Sequence, residues 1–325
     1  MSDLASQGGA GGGTVSGELR HGGPTGAPLA GRWVVLHQVT SGGGGPVDSV
    51  RTDAAGRWRL RARQVDTMAI YIASALHDGL AYFSPPLRVQ AGKAVTADPL
   101  VVYDTSSGGP GIVLQRRLVT ITGAGEDGSR EVLELLELGH EGQQTRVAPD
   151  TVRPVWTVSI PAAAVQFEVQ TGDFSPDAVT RRGDSVLLFA PVQPGRNRQL
   201  SYRYVLPSSA AGTVTIPIDQ PTAELDLLLE DTVAAVSAPG LTGGGVEQIE
   251  TRRFAGYRAD SLPAGAPVSI VFPAKQFRTD RLLPLLVVAI VAALGVGLWV
   301  ALKRGEGAGS GERGTAPSRR TGKKE

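Results

Sequence analysis

The sequence predicts an all-β protein: a small β-sandwich, a second β-sandwich region and one C-terminal transmembrane helix. Three observations carry that prediction. Apolar and polar residues alternate with a period of two through several short runs, the signature of strands with one buried face. Glycine (43 residues) and proline (22) punctuate those runs, as many short strands joined by turns require. Residues 282–302, LLPLLVVAIVAALGVGLWVAL, run for 21 positions without a charge.

Residues 1–13 form a glycine-rich leader with no basic or apolar signal-peptide pattern. Residues 14–104 read as a small all-β domain. Its clearest strand is Arg57–Arg63, in which Trp58, Leu60 and Ala62 face one way and Arg57, Arg59, Arg61 and Arg63 the other. Asp53-Ala54-Ala55-Gly56 is the turn before it, and Asp48–Thr52 leads in. Arg32–Val39 and Met68–Ala75 are further strands, and His77-Asp78-Gly79 marks a hairpin before Leu80–Phe83. Leu87–Gln90 and Val95–Val102 continue the pattern after Pro85-Pro86.

The stretches G-E-L-R…G-A-P-L-A-G-R-W-V-V-L and V-R-T-D-A-A-G-R-W-R-L carry a resemblance. Thr52, Asp53, Gly56, Trp58 and Leu60, with Gly17, Pro28, Gly31, Val34 and Leu36 before them, resemble the carboxypeptidase regulatory-like family of transthyretin-like β-sandwiches. The matching residues specify turns and a core, so the resemblance implies a fold and no chemistry. Members of that family often accompany a zinc peptidase domain; no H-E-x-x-H is written in this chain.

Residues 105–111, T-S-S-G-G-P-G, read as a linker. Residues 112–273 form a second β-rich region, one larger sandwich or two small ones. Gln199–Leu206 and Ala223–Glu230 alternate as half-buried strands, and Val155–Ile160, Val165–Gln170, Ser185–Phe189, Thr213–Ile218 and Val268–Phe272 are strands too.

A helix over 282–302 would be about 31 Å long, the thickness of the bilayer's hydrocarbon core. Arg281 and Lys303-Arg304 flank it, and Trp299 suits the interface. Ala289, Ala293, Gly297 and Ala301 recur every four residues as a candidate helix-packing face, a route to a homo-oligomer. The tail 303–325 carries a net charge of +4, against −3 for residues 1–281. The positive-inside bias then keeps the tail cytoplasmic and the β domains outside. Export of the body needs a signal upstream of Met1; without one the chain is tail-anchored with its body in the cytoplasm.

No basic field marks the body as nucleic-acid-binding. The chain has no cysteine, which removes disulfides, thiolate metal sites and a cysteine nucleophile. Gly123–Gly128 matches G-x-G-x-x-G, but Glu126 and Asp127 would repel a pyrophosphate and no βαβ alternation follows, so a hairpin is expected. His21, His37, His77 and His140 are scattered, with His77-Asp78 read as turn chemistry. No catalytic, cofactor or metal residue is assigned. The one ligand face the sequence offers is the row Arg57, Arg59, Arg61 and Arg63, where like charges need acidic neighbours, solvent or an anionic ligand. The expected function is a non-catalytic, membrane-anchored envelope protein that binds protein or glycan. An accessory subunit of a membrane assembly or transport complex is the alternative, and an unrecognised hydrolase the more distant one.

Overall fold

The computed structural model of the chain describes residues 11–109, 111–210 and 212–273, and within them the protein is all-β. The span at 282–302, its face Ala289, Ala293, Gly297 and Ala301, and the tail lie outside the described residues. Among the described residues no helix is long and apolar enough to cross a membrane.

The first eight strands are β1 (Gly13–His21), β2 (Trp33–Thr40), β3 (Gly43–Arg51), β4 (Arg57–Ala62), β5 (Ile70–His77), β6 (Leu80–Phe83), β7 (Ala94–Thr96) and β8 (Leu100–Val102). One sheet holds β4, β1 and β7 in that order, with β8 pairing the far end of β1; the other runs β3-β2-β5-β6. Both contribute to one core of Val15, Leu19, Val34, Leu36, Trp58, Leu60, Tyr71 and Tyr82. β3 starts five residues earlier than its alternation suggests, at Gly43. It is an edge strand, where Pro46 breaks no ladder. Val47 is an extra residue opposite the Leu36–His37 step, a bulge that swings β3 along the rim. Gly17 lies opposite Trp58 because the indole lies across it. A Cβ on Gly17 would sit 2.5 Å from the ring.

Residues 105–111, expected as a linker, open with a strand. β9 (Thr105–Ser106) pairs in parallel with β12 (Thr145–Arg146), so the chain is tied down where it passes from one core to the next. The next elements are β10 (Ile112–Ile121), β11 (Arg130–His140), β13 (Trp156–Ser159), β14 (Val165–Val169), β15 (Val179–Arg182), β16 (Ser185–Leu188) and β17 (Arg198–Leu206). β18 (Thr213–Ile216), β19 (Thr222–Leu229), β20 (Ala235–Ser237), β21 (Thr242–Ile249), β22 (Arg252–Leu262) and β23 (Val268–Val271) complete the set. A seven-stranded sheet, β14-β17-β11-β10-β19-β22-β21, is joined by two three-stranded sheets, β13-β16-β15 and β18-β23-β20. All three contribute to one hydrophobic cluster, so residues 112–272 share a single core.

The G-x-G-x-x-G stretch is the hairpin loop between β10 and β11. The segment after it, a helix in a dinucleotide-binding unit, is the strand β11.

Candidate functional site

Arg57, Arg59 and Arg61 lie on β4 as its alternation requires, and Arg63 follows its last residue. Trp58, Leu60 and Ala62 are buried, while Arg57, Arg59, Arg61 and Arg63 are exposed. β4 is an edge strand with β1 as its one partner in the sheet. Leu19 N–H reaches the Gly56 carbonyl, which fixes the register so that the arginines' backbone groups point away from β1. Two of those rungs are closed by carboxylates. Asp53 accepts from Arg57 N–H at 2.8 Å and returns its own N–H to the Arg57 carbonyl; Asp48 accepts from Arg61 N–H at 2.7 Å. Among the described residues Arg59, between them, has neither. These caps keep the edge from pairing with a foreign strand along its length.

The side chains divide in the same way. Arg57 pairs with Asp53 at 2.9 Å and faces Glu18 across the ladder. Arg59 faces Ser16 and Arg61 faces Thr14, and among the described residues neither has a carboxylate at ion-pair distance. A shallow groove of about 580 Å³ opens here, lined by Arg51, Asp53, Arg57, Arg59, Glu18 and Trp58. Arg51 lies over the Trp33 ring at 4.9 Å. Trp58 is almost fully buried, and its Nε1–H is buried without an acceptor. The groove therefore sets Arg51 and Arg59, neither with a carboxylate at ion-pair distance among the described residues, beside the Asp53-paired Arg57, guanidinium groups that suit a ligand rich in acceptor oxygens.

A second cluster was not legible in the sequence. His21 ends β1, His77 ends β5, and Asp104 lies just before β9. Asp104 Oδ1 is 2.8 Å from His77 Nε2 and 3.3 Å from His21 Nε2. The imidazoles meet edge to face at 5.7 Å. Those contacts hold the Asp104 carboxyl below the usual carboxylate range, His77 contributing most. Beside it, Asp78 Oδ2 accepts from Thr105 N–H at 2.7 Å and from the Thr105 hydroxyl at 2.8 Å, which lowers its pKa too. Tyr82 donates to the Tyr103 carbonyl at 2.7 Å and accepts from the Thr145 hydroxyl at 2.8 Å. The His77-Asp78-Gly79 turn thus clasps the segment that leads into the second core. The Thr105 hydroxyl is committed to Asp78, an arrangement that holds a loop rather than activating a nucleophile. His21, His77 and Asp104 are the described residues that could together hold a metal ion. The other two histidines are held locally, His37 Nε2 by Ser74 at 2.8 Å and His140 Nε2 by the Gln144 carbonyl at 2.7 Å.

The outer face of the β3-β2-β5-β6 sheet is apolar. Trp33 (53% exposed), Leu76 (68%) and Phe83 (60%) stand on three neighbouring strands.

No family model and no curated protein matches the chain. Solved structures with some likeness include a mutant of a two-domain M1 zinc metallopeptidase bound to L-tryptophan, at 11% identity and TM-score 0.33, covering 52% of this chain and 44% of that one. An M1 zinc metallopeptidase mutant from Deinococcus radiodurans bound to a Tyr-Ser-Ala substrate gives 11% and 0.34, with 55% and 48% covered. A putative nutrient binding protein from Legionella pneumophila gives 11% and 0.31, covering 52% of this chain and 70% of that one. The chain thus spans less than half the length of either metallopeptidase, and likeness at this level speaks to neither fold family nor activity.

Proposed function

We propose that the chain is a non-catalytic envelope protein, anchored in the membrane by residues 282–302, that presents a transthyretin-like sandwich and a second β-sandwich region to bind a protein or glycan. The observation that carries this reading is the groove beside β4, where Arg51 and Arg59 line the wall without carboxylate partners among the described residues and Arg61 follows on the same strand face. A groove on rigid strands suits recognition of uronate, sulfate or carboxylate groups, because the guanidinium forks are placed before the ligand arrives. In the full chain, Arg59→Ala with Arg61→Ala should weaken binding of a polyuronate by at least about tenfold, the worth of one charge-assisted hydrogen bond. Equal affinity for the double variant and the wild type, measured by titration calorimetry, removes the groove from the account.

One observation favours the second reading, an accessory subunit of a membrane assembly or transport complex. The apolar face of Trp33, Leu76 and Phe83 is of the kind that protein partners cover.

The charge of the tail supports an orientation with the β domains outside the cytoplasm. Protease added to intact cells, or to spheroplasts where an outer membrane is present, should digest the β domains and spare an epitope on the tail. Protection of the domains until lysis reverses the orientation.

A further inference from the structure

We propose that His21, His77 and Asp104 form a binding site for one divalent transition-metal ion of the zinc type, which staples three strand ends where the chain passes between its two cores. The proposal is independent of the groove reading.

The geometry starts from three donors on three separate elements. Two imidazole Nε2 atoms and one carboxylate Oδ1 converge, at 2.8 Å and 3.3 Å from the carboxylate oxygen, and all three ligand atoms lie within 4.8 Å of one another. Around a tetrahedral ion with bonds of about 2.0–2.2 Å, neighbouring donors stand roughly 3.3 Å apart. The His21–Asp104 separation is already of that length, and His77 needs to retreat by about half an ångström. Two nitrogens and one oxygen suit zinc and its neighbours, whereas calcium and magnesium take oxygen. Asp104 is half exposed, which leaves a coordination position open to water or to a ligand group.

The surroundings favour a cation as well. Asp78 adds a second carboxylate beside Asp104 and is fixed by two donors from Thr105. Its charge acts on the site while its Oδ2 stays bound to Thr105, the arrangement by which neighbouring groups orient metal ligands.

One contact sets the condition for binding. Gly23 N–H donates to His21 Nδ1 at 3.0 Å, so in the metal-free form the proton of neutral His21 is on Nε2, facing Asp104. A metal on Nε2 moves that proton to Nδ1, and Gly23 N–H must turn away. Gly23, without a Cβ, gives the backbone freedom to do so, while Gly22 stays held by its N–H to the Val102 carbonyl at 2.8 Å. Without metal the same residues make a hydrogen-bonded clasp, and with it a coordinate bond replaces each imidazole–carboxylate contact.

The clasp and the metal site are separated by Asp104→Asn. An asparagine keeps an oxygen acceptor for both imidazoles and loses the anionic ligand. Tag-free full chain, stripped of metal, is titrated with Co²⁺ and followed by visible absorption, then challenged with Zn²⁺. The expected result is one Co²⁺ per chain, with the intense d–d bands of a low-coordinate site that Zn²⁺ abolishes. Asp104→Asn and His77→Ala should each weaken binding at least about tenfold, a ligand mattering no less than its supporting residues do. His140→Ala should leave it unchanged. Absence of low-coordinate bands in the wild type, or bands that survive in folded Asp104→Asn protein, overturns the proposal.

Discussion

Arg117→Met should destabilise the second core by about 3–5 kcal/mol, the cost of leaving a buried carboxylate without its cation. Arg117 and Glu134 are both fully buried, and Arg117 Nε donates to Glu134 Oε2 at 2.8 Å. Tyr202 donates to the same oxygen at 3.1 Å and Tyr204 to Oε1 at 2.8 Å. The remaining guanidinium nitrogens reach the carbonyls of Pro217 at 2.7 Å and Ser159 at 3.2 Å. Each charge is therefore compensated within the core. Burial works against the Arg117 charge, yet Glu134 keeps its pKa above the ordinary value. Burial, and then the carboxylate, push both tyrosines well up. The network links the seven-stranded sheet to the end of β13 and the loop after β18, which gives it a role in fixing how the sheets meet. In a unit of this size the loss lowers the melting temperature by on the order of 10 °C. Trp156, in the same core, reports the transition by fluorescence. Adding Glu134→Gln to Arg117→Met should cost much less than the sum of the two single changes, because the second removes the charge the first orphaned. Additive costs contradict the pairing.

Trp58→Ala should cost the first core about 3–5 kcal/mol, a large share of a small domain's stability. The indole faces inward from β4, lies over Gly17 and is almost fully buried. Trp58→Phe separates packing from the indole N–H. Phenylalanine keeps most of the apolar contact and removes a donor that has no acceptor among the described residues, so it should cost less than about 1.5 kcal/mol. Gly17→Ala approaches the same ring from the opposite strand and should cost about 1–3 kcal/mol. Thermal unfolding of the three variants gives the order, and a Trp58→Ala protein that melts with the wild type contradicts the placement of the ring.

What the sequence made legible was what obeys a period. β4, β17 and β19 announce themselves by alternation, and the arginine row follows from β4 alone. β11 does not, because Glu134 occupies an inward position and Leu133 an exposed one, so its apolar residues trace no strand face. Arg117 is hidden for a related reason. The bulge at Gln115 shifts the alternation of β10 by one and turns Arg117 rather than Arg116 into the core. β3 is masked by its glycines, which an edge strand tolerates. The histidine cluster left no local trace at all. His21, His77 and Asp104 lie on separate elements and meet through the pairing of β1 with β8 and the β5–β6 turn. Spacing rules detect ligands that one helix or one loop brings together, and this set is gathered by tertiary structure.

The central claim is that the groove beside β4 is the face that meets a partner. The direct measurement places a photo-crosslinking residue at Arg59, or at Leu76 on the apolar face, in the full chain in its native membranes. Irradiation should give an adduct of defined mass from position 59, reduced when Arg61→Glu reverses the neighbouring charge, and none from position 76. An adduct from position 76 with none from 59 contradicts the groove and assigns recognition to the apolar face of β2, β5 and β6.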